Sequence, residues 1–362
     1  LRIVRLRQQI AEARLSFALL ADNQGILMAN PVLVEVTRGD RVESRHRGAI
    51  AVTDARGKPL LTLGDVEAPV YPRSAVKPIQ ALPLVESGAA DRFGFHAREL
   101  ALAQASHSGE PAHVAGVAAM LSAIGLTEHV LECGAHAPSN AQAAAELLRS
   151  GKAPSPLHNN CSGKHAGFLA VCQHRGISHR GYVAATHPVQ VEVREALAAM
   201  TGAPLDPEKC GTDGCSIPTY AEPLNALALG FARLATGVGL SRERAAAARR
   251  LYEAAVSEPF YVAGTGRFCT DAMTLLGGAA LLKTGAEGTF CASLRELGLG
   301  VALKCDDGAT RASEAMMAAV VAWLLPEHAE ALRRWTNAPI LTRRGARAGE
   351  VSALMEAYPV RR

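Results

Sequence analysis

The order in which strand-like and helix-like patterns occur constrains this fold more than any single motif. Short apolar runs at residues 32–36, 48–53 and 60–63 predict strands, with Asp54-Ala55-Arg56-Gly57 as the hairpin signal between the last two. Helical periodicity then dominates for about two hundred residues, over 74–87 (ended by Gly88), 97–105, 111–124, 141–148, 163–174, 188–200, 219–235 and 242–256. Strand patterns return at 279–283, 289–294 and 300–304, and a last long helix is predicted over 312–325. Strands at both ends with helices between them imply an α/β (α+β) fold. One antiparallel sheet is built from both ends of the chain, with a helical region inserted at about 74–264. With 362 residues, 49% hydrophobic and 20% charged, the chain can bury a sizeable core, and we read 28–362 as a single domain.

The same composition excludes several roles. Net charge is +4 with both signs interspersed, and no basic stripe carries interleaved aromatics, so nucleic acid is not an expected partner. Apolar runs such as 315–325 are too short to span a bilayer. Eight cysteines are scattered without a C-x-x-C, which in a chain with its own core predicts reduced thiols and a cytoplasmic setting. Arginines 2, 5, 7 and 14 followed by apolar residues 15–20 faintly mimic a signal peptide. The apolar stretch is short, however, and Asp22-Asn23-Gln24-Gly25 follows without a small-residue cleavage site. We expect Met28 to be the functional start and residues 1–27 to be an upstream extension outside the fold. Arg343-Arg344-Gly345-Ala346-Arg347 reads as solvated loop.

The chemistry is concentrated in Tyr71-Pro72-Arg73-Ser74-Ala75-Val76-Lys77-Pro78. The chain uses seven lysines against thirty-one arginines, so a lysine three residues after a serine is a marked choice. Lysine, unlike arginine, can be driven neutral by burial and by nearby cations. On a helix, positions i and i+3 share a face, so Lys77 is placed to take the proton of Ser74. Downstream lies Lys283-Thr284-Gly285-Ala286. Serine-active-site β-lactamases and penicillin-binding proteins combine S-x-x-K, a middle serine motif and K-T-G. Ser106-His107-Ser108 could supply the middle element, although it is not Ser-Asp-Asn. The set predicts a serine hydrolase with lysine assistance.

Two further polar stretches are candidates. His158-Asn159-Asn160-Cys161-Ser162-Gly163-Lys164-His165-Ala166-Gly167 fails as a phosphate-binding loop, since His158 and His165 stand where glycine and a hydroxyl residue are needed. It reads as a polar pocket wall at a helix start, the alternative being helix capping by Asn160 or Ser162 beside a buried cysteine. In Cys210-Gly211-Thr212-Asp213-Gly214-Cys215-Ser216-Ile217-Pro218, Asp213 could bind a substrate amine and either cysteine could ligate metal. Gly264-x-Gly266 is too weak to indicate a nucleotide, and His107 reads as structural rather than as the base.

Taken together, these residues make the chain resemble the asparaginase II family, the rhizobial-type L-asparaginases, from about Asn30 onward. The resemblance is carried by Val34-Glu35-Val36-Thr37-Arg38-Gly39, the Tyr71–Pro78 segment and Ala105-Ser106-His107-Ser108-Gly109-Glu110. It continues in Asn159-Asn160-Cys161-Ser162-Gly163-Lys164-His165, Asp213-Gly214-Cys215-Ser216-Ile217-Pro218, Gly266-Arg267-Phe268-Cys269-Thr270-Asp271 and Lys283-Thr284-Gly285-Ala286-Glu287-Gly288. It implies the fold of serine β-lactamases and glutaminases, hydrolysis of L-asparagine to L-aspartate and ammonia, and a homodimer. It also implies two Ser-Lys pairs, Ser74 with Lys77 and Ser106 with Lys283, and a zinc site of Cys161, Lys164 and Cys215. Ser74 is expected to attack, with the oxyanion held by the backbone amides of Ser74 and Ala286 and with Arg73 or Asp213 reading the α-carboxylate or α-amine. A β-lactamase-like hydrolase of another amide or ester, and a non-catalytic binding module of the same fold, remain the alternatives.

Overall fold

The computed structural model describes residues 29–359, so Met28 and the extension before it lie outside the described residues. The expected antiparallel sheet from both ends of the chain is present. Its strands are β1 (Val32–Arg38), β2 (Arg41–Asp54), β3 (Pro59–Leu63), β4 (Leu281–Thr284), β5 (Thr289–Leu294), β6 (Leu299–Cys305), β7 (Asn337–Leu341) and β8 (Arg347–Ala353). They run in the order β7-β8-β1-β2-β6-β5-β4, with β3 paired to β2. The long strand β2 joins two halves of this sheet. Its first residues pair with β1, Glu35 opposite Arg45, whereas its second half lies between β3 and β6, with Val52 opposite both Leu61 and Val301. Burial follows this division: residues 41–45 are largely exposed and 48–53 are buried.

Three helices matter most for what the sheet carries. They are α1 (Ser162–Arg175), α2 (Leu224–Thr236) and α3 (Thr310–Leu324). Helix α1 is stopped by Gly176, whose φ of 66° is the left-handed conformation that ends helices cheaply in glycine. Helix α2 lies directly on β2, β5 and β6. The approach is close because β6 has Gly300, where a Cβ would stand 2.0 Å from the Ala228 carbonyl oxygen. The Ser293 hydroxyl of β5 donates to the Phe231 carbonyl of α2 at 2.6 Å. Helix α3 is buried from Ala315 through Leu324 and packs on β1, β5, β6 and β8, which is why its sequence is apolar on every side.

Three departures from the sequence pattern bear on the site and the sheet. The helix expected over 74–87 is broken into a 3-10 turn Arg73–Val76 and two short helices, Lys77–Gln80 and Leu82–Glu86. Pro78 and Pro83 lack the amide hydrogens a continuous helix would need. The helix expected from 219 starts at Leu224, because Pro218–Thr219 and Glu222–Pro223 form small strands paired with Gly211–Thr212 and Pro69–Val70. Finally, the sheet gains the hairpin of β7 and β8, and the arginine-rich segment is its turn, closed by Thr342 N–H to Ala346 O at 2.8 Å.

Candidate active site

Ser74 lies in the 3-10 turn and Lys77 opens the helix that follows, with Pro78 at a first-turn position where no intrahelical donor is missed. This turn is clamped against the Lys283-Thr284-Gly285 strand end. At Gly285 a Cβ would meet the Pro72 carbonyl oxygen at 2.7 Å and the Ala75 nitrogen at 3.2 Å, so only glycine permits the contact. The Ser74 side chain is half-buried, and its hydroxyl has no hydrogen-bond partner among the described residues.

Lys77 does not fold back on Ser74. Its buried Nζ donates to the Ala105 carbonyl and, at 3.0 Å, to Ser106 Oγ. Lys283 Nζ donates to the same oxygen at 2.9 Å and to Thr284 O at 3.1 Å. The two pairs expected from sequence are thus a Lys77–Ser106–Lys283 bridge with Ser74 one turn before Lys77. If both lysines were charged, both would donate to Ser106 and the serine proton would have no acceptor on either of them. The environment works against that state. Burial, and then the charge of Lys77, pull Lys283 down from 10.5 to about 7. Burial also lowers Lys77, aided by Lys164 and opposed by the Cys161 and Cys215 thiols. Near neutral pH the site can therefore hold a neutral lysine able to accept a serine proton.

The other candidates gather around Lys77. Cys161 precedes helix α1, Lys164 sits in its first turn, and Lys164 Nζ lies 3.1 Å from Cys215 Sγ. All three are buried. A hydrogen bond from Cys215 holds the Cys161 thiol well below the usual range despite its burial, with the ammonium groups of Lys77 and Lys164 adding to the effect. Cys215 is pushed up by that same hydrogen bond and by burial. Burial disfavours the Lys164 charge, but the two sulfurs outweigh it and raise the group.

Arg73 and Asp213 meet each other, Nε to Oδ1 at 2.7 Å. Burial would raise the Asp213 carboxyl, but Lys164 and Arg73 together hold it low. Among the described residues three non-glycine positions have positive φ, namely Arg73 (52°), Ser216 (75°) and Glu287 (55°). Each is the neighbour of a candidate site residue: Ser74, Cys215 and Ala286. Strain of order 1–3 kcal/mol per residue is thus placed around one site. His107 is buried against Ser162, Nε2 to Oγ at 2.9 Å, and takes the Gly109 amide on Nδ1, which fits its structural reading. The sequence argument gave no role to Arg267, whose charge is near enough to Lys283 to help lower it. It also gave none to Glu110, which accepts Thr265 N–H at 2.8 Å and Thr265 Oγ1 at 2.7 Å and ties down the loop beside Ser106. Arg267 stood within a quoted motif, yet an arginine alone carries no signal of what it faces.

The fold is mixed α/β on an antiparallel sheet, and it brings Lys77, Ser106 and Lys283 into one hydrogen-bonded group. Residues 34–353 match the family described as L-asparaginase II, and the chain belongs to that family. No curated protein sequence matches the chain. Among solved structures it is similar to a beta-lactamase from Mycobacterium bovis, at 15% identity over 79% of this chain and 93% of that one, with a TM-score of 0.35. It is also similar to a class C beta lactamase from Rhodobacter sphaeroides (14% identity, 87% of this chain, 99% of that one, TM-score 0.34). A third is EstCE1, a hydrolase with promiscuous acyltransferase activity (10% identity, 84% and 94%, TM-score 0.37). No described helix is long and apolar enough to cross a membrane.

Proposed function

We propose that this member of the L-asparaginase II family hydrolyses the side-chain amide of L-asparagine, giving L-aspartate and ammonia through an acyl-enzyme. The observation that carries the reading is the Ser106 hydroxyl held between the two buried lysine nitrogens, Lys77 and Lys283. Ser74 loses its proton to a neutral lysine of this bridge while its Oγ bonds to the carboxamide carbon. The oxyanion is met by the backbone amides of Ser74 and Ala286. As the C–N bond breaks, the leaving nitrogen takes a proton from the lysine through Ser106 and departs as ammonia. Water then gives a proton to the neutral lysine and attacks the ester, releasing aspartate and restoring the Ser74 hydroxyl. The Arg73–Asp213 pair is the recognition element for the substrate's α-amine and α-carboxylate.

Cys161, Lys164 and Cys215 fit a zinc ion, since two buried sulfurs and an amine converge there. The ion would satisfy the charge of the sulfurs and fasten the start of helix α1 to the 213–216 loop, and Lys164 would have to give up its proton to ligate. The family resemblance also supports a homodimer acting on a small-molecule substrate.

The experiment is ammonia release from asparagine, glutamine and β-aspartyl peptides, with a chromogenic cephalosporin alongside, followed by peptide mapping of the trapped acyl-enzyme. We expect asparagine turnover and an acyl group on Ser74. Because both lysines bind Ser106, a second assignment has Ser106 attack and Ser74 return the proton; an acyl group on Ser106 would establish it. Turnover of the cephalosporin alone would refute the asparaginase reading.

A further inference from the structure

A second cluster of metal-binding chemistry lies outside the proposed active site, where β2, β6 and the start of α3 meet. His46 Nδ1 is 2.6 Å from Asp307 Oδ2, and Cys305 Sγ donates to Asp307 Oδ1 at 3.0 Å. One ligating atom from each of the three lies within 4.8 Å of the others. His46 and Cys305 are buried, while about half of the Asp307 side chain is exposed, so the cluster has a solid floor and an open mouth. His46 Nε2 is buried without a hydrogen-bond partner among the described residues, which leaves the Asp307 side as the ring's polar attachment.

We propose that His46, Cys305 and Asp307 form a site for a divalent transition cation of the zinc class, distinct from the cysteine–lysine–cysteine group. The donor set is one nitrogen, one sulfur and one oxygen. That combination suits zinc or cobalt and does not suit magnesium or calcium, which favour oxygen. Metal bonds of roughly 2.0–2.3 Å in a tetrahedron need donor atoms about 3.3–3.7 Å apart. Asp307 now holds His46 Nδ1 at 2.6 Å on one carboxylate oxygen and Cys305 Sγ at 3.0 Å on the other, so a cation replaces the bridging protons and widens both contacts by roughly half an ångström or a little more. Binding releases the Cys305 thiol proton to solvent, moves the His46 ring proton from Nδ1 to Nε2, and leaves the fourth position, on the exposed side, for water. Asp307 is steadied for this task by the Ala309 amide, which donates to its Oδ1 at 3.0 Å.

The position gives the site a structural consequence. The Cys305 amide donates to Gly288 O at 2.9 Å, and Lys304 Nζ donates to Glu287 O at 2.6 Å. Gly308 also lies against Glu287, where a Cβ would come within 2.9 Å of its carboxylate. A cation here stiffens the strand end that backs the Ala286–Gly288 turn.

The test uses the full chain, freed of metal by chelation and titrated with Co²⁺ under equilibrium dialysis and absorption spectroscopy. Asp307 is half-exposed and the replacement is isosteric, so Asp307→Asn leaves the core intact. We expect the unaltered chain to bind one more Co²⁺ than Asp307→Asn. The Cys161→Ala/Cys215→Ala double variant should keep that ion, with a thiolate-to-cobalt charge-transfer band that Cys305→Ser then abolishes. The double variant should also melt at a higher temperature with Zn²⁺ than without, and adding Asp307→Asn should remove the rise. Equal Co²⁺ stoichiometry in the unaltered chain and Asp307→Asn, or a double variant without the charge-transfer band, overturns the proposal. Either outcome leaves the asparaginase reading untouched.

Discussion

Replacing Lys283 by methionine should raise stability at neutral pH and remove activity, in a way that pH can dissect. In the folded chain the group is lowered from 10.5 to about 7, chiefly by burial. Below pH 7 folded and unfolded chains both carry the proton, and the penalty for a buried charge is at its largest. Between pH 7 and 10.5 the unfolded chain keeps a proton that the folded chain has shed. Stability of the unaltered protein should therefore climb through that window by about 1.4 kcal/mol per pH unit. The whole shift corresponds to about 4–5 kcal/mol. Against this, methionine forfeits the bonds to Ser106 and Thr284, together worth about 2 kcal/mol. Lys283→Met should thus be more stable by about 2–3 kcal/mol at pH 6.5, and the two stability curves should cross near pH ~9. Urea unfolding at several pH values between 6.5 and 9.5 measures this, with the slope checked for constancy. Parallel curves, or a variant less stable at pH 6.5, would refute the buried-charge argument. On the activity side, kcat/KM of the unaltered enzyme should rise with pH through an apparent pKa near 7 and then level off, because the proton acceptor must be neutral.

Two other outcomes are expected. Purified protein should carry about one zinc per chain at the cysteine–lysine–cysteine group, and metal analysis should find that ion missing from Cys161→Ala and from Cys215→Ala; unchanged content in both sinks the assignment. Gly300→Ala should lower stability by about 2–3 kcal/mol, seen as a drop in melting temperature, since its Cβ would strike the backbone of α2 and no side chain can yield. A drop of less than a degree would mean that α2 can slide away.

The sheet was legible because β5 and β6 are buried along nearly their whole length and so stand out as apolar runs. The hairpin of β7 and β8 was not. In β8 the inward positions are Gly349, Val351 and Ala353, two of them too small to mark a buried face, and β7 contains Pro339. In the candidate site, Ser74, Lys77, Ser106 and Lys283 were all visible from motif spacing. Their connections were not, because local helical spacing suggested Lys77 would reach Ser74, whereas the tertiary fold brings Ser106 to it from 29 residues away. The cluster of His46, Cys305 and Asp307 left no trace in spacing, since its members come from opposite ends of the chain.

The pairing of β2 with β6 and of β1 with β8 also determines when this protein can fold. Val52 meets Val301, and Val34 meets Ala353, so the centre of the sheet waits for partners made near the end of synthesis. At about 5–20 residues per second, the apolar half of β2 leaves the ribosome on the order of ten to fifty seconds before β6 exists. Among its strand neighbours only β3 can pair with this half during that time, through the short hairpin that sets Ile50 opposite Leu63. The remaining edge of the buried half of β2 is then an open template for another nascent chain. Expression yield should therefore respond to translation rate and to strand-binding chaperones more strongly than the stability of the finished molecule would suggest. Mutations in the β2–β3 hairpin should reduce soluble yield out of proportion to their effect on melting temperature.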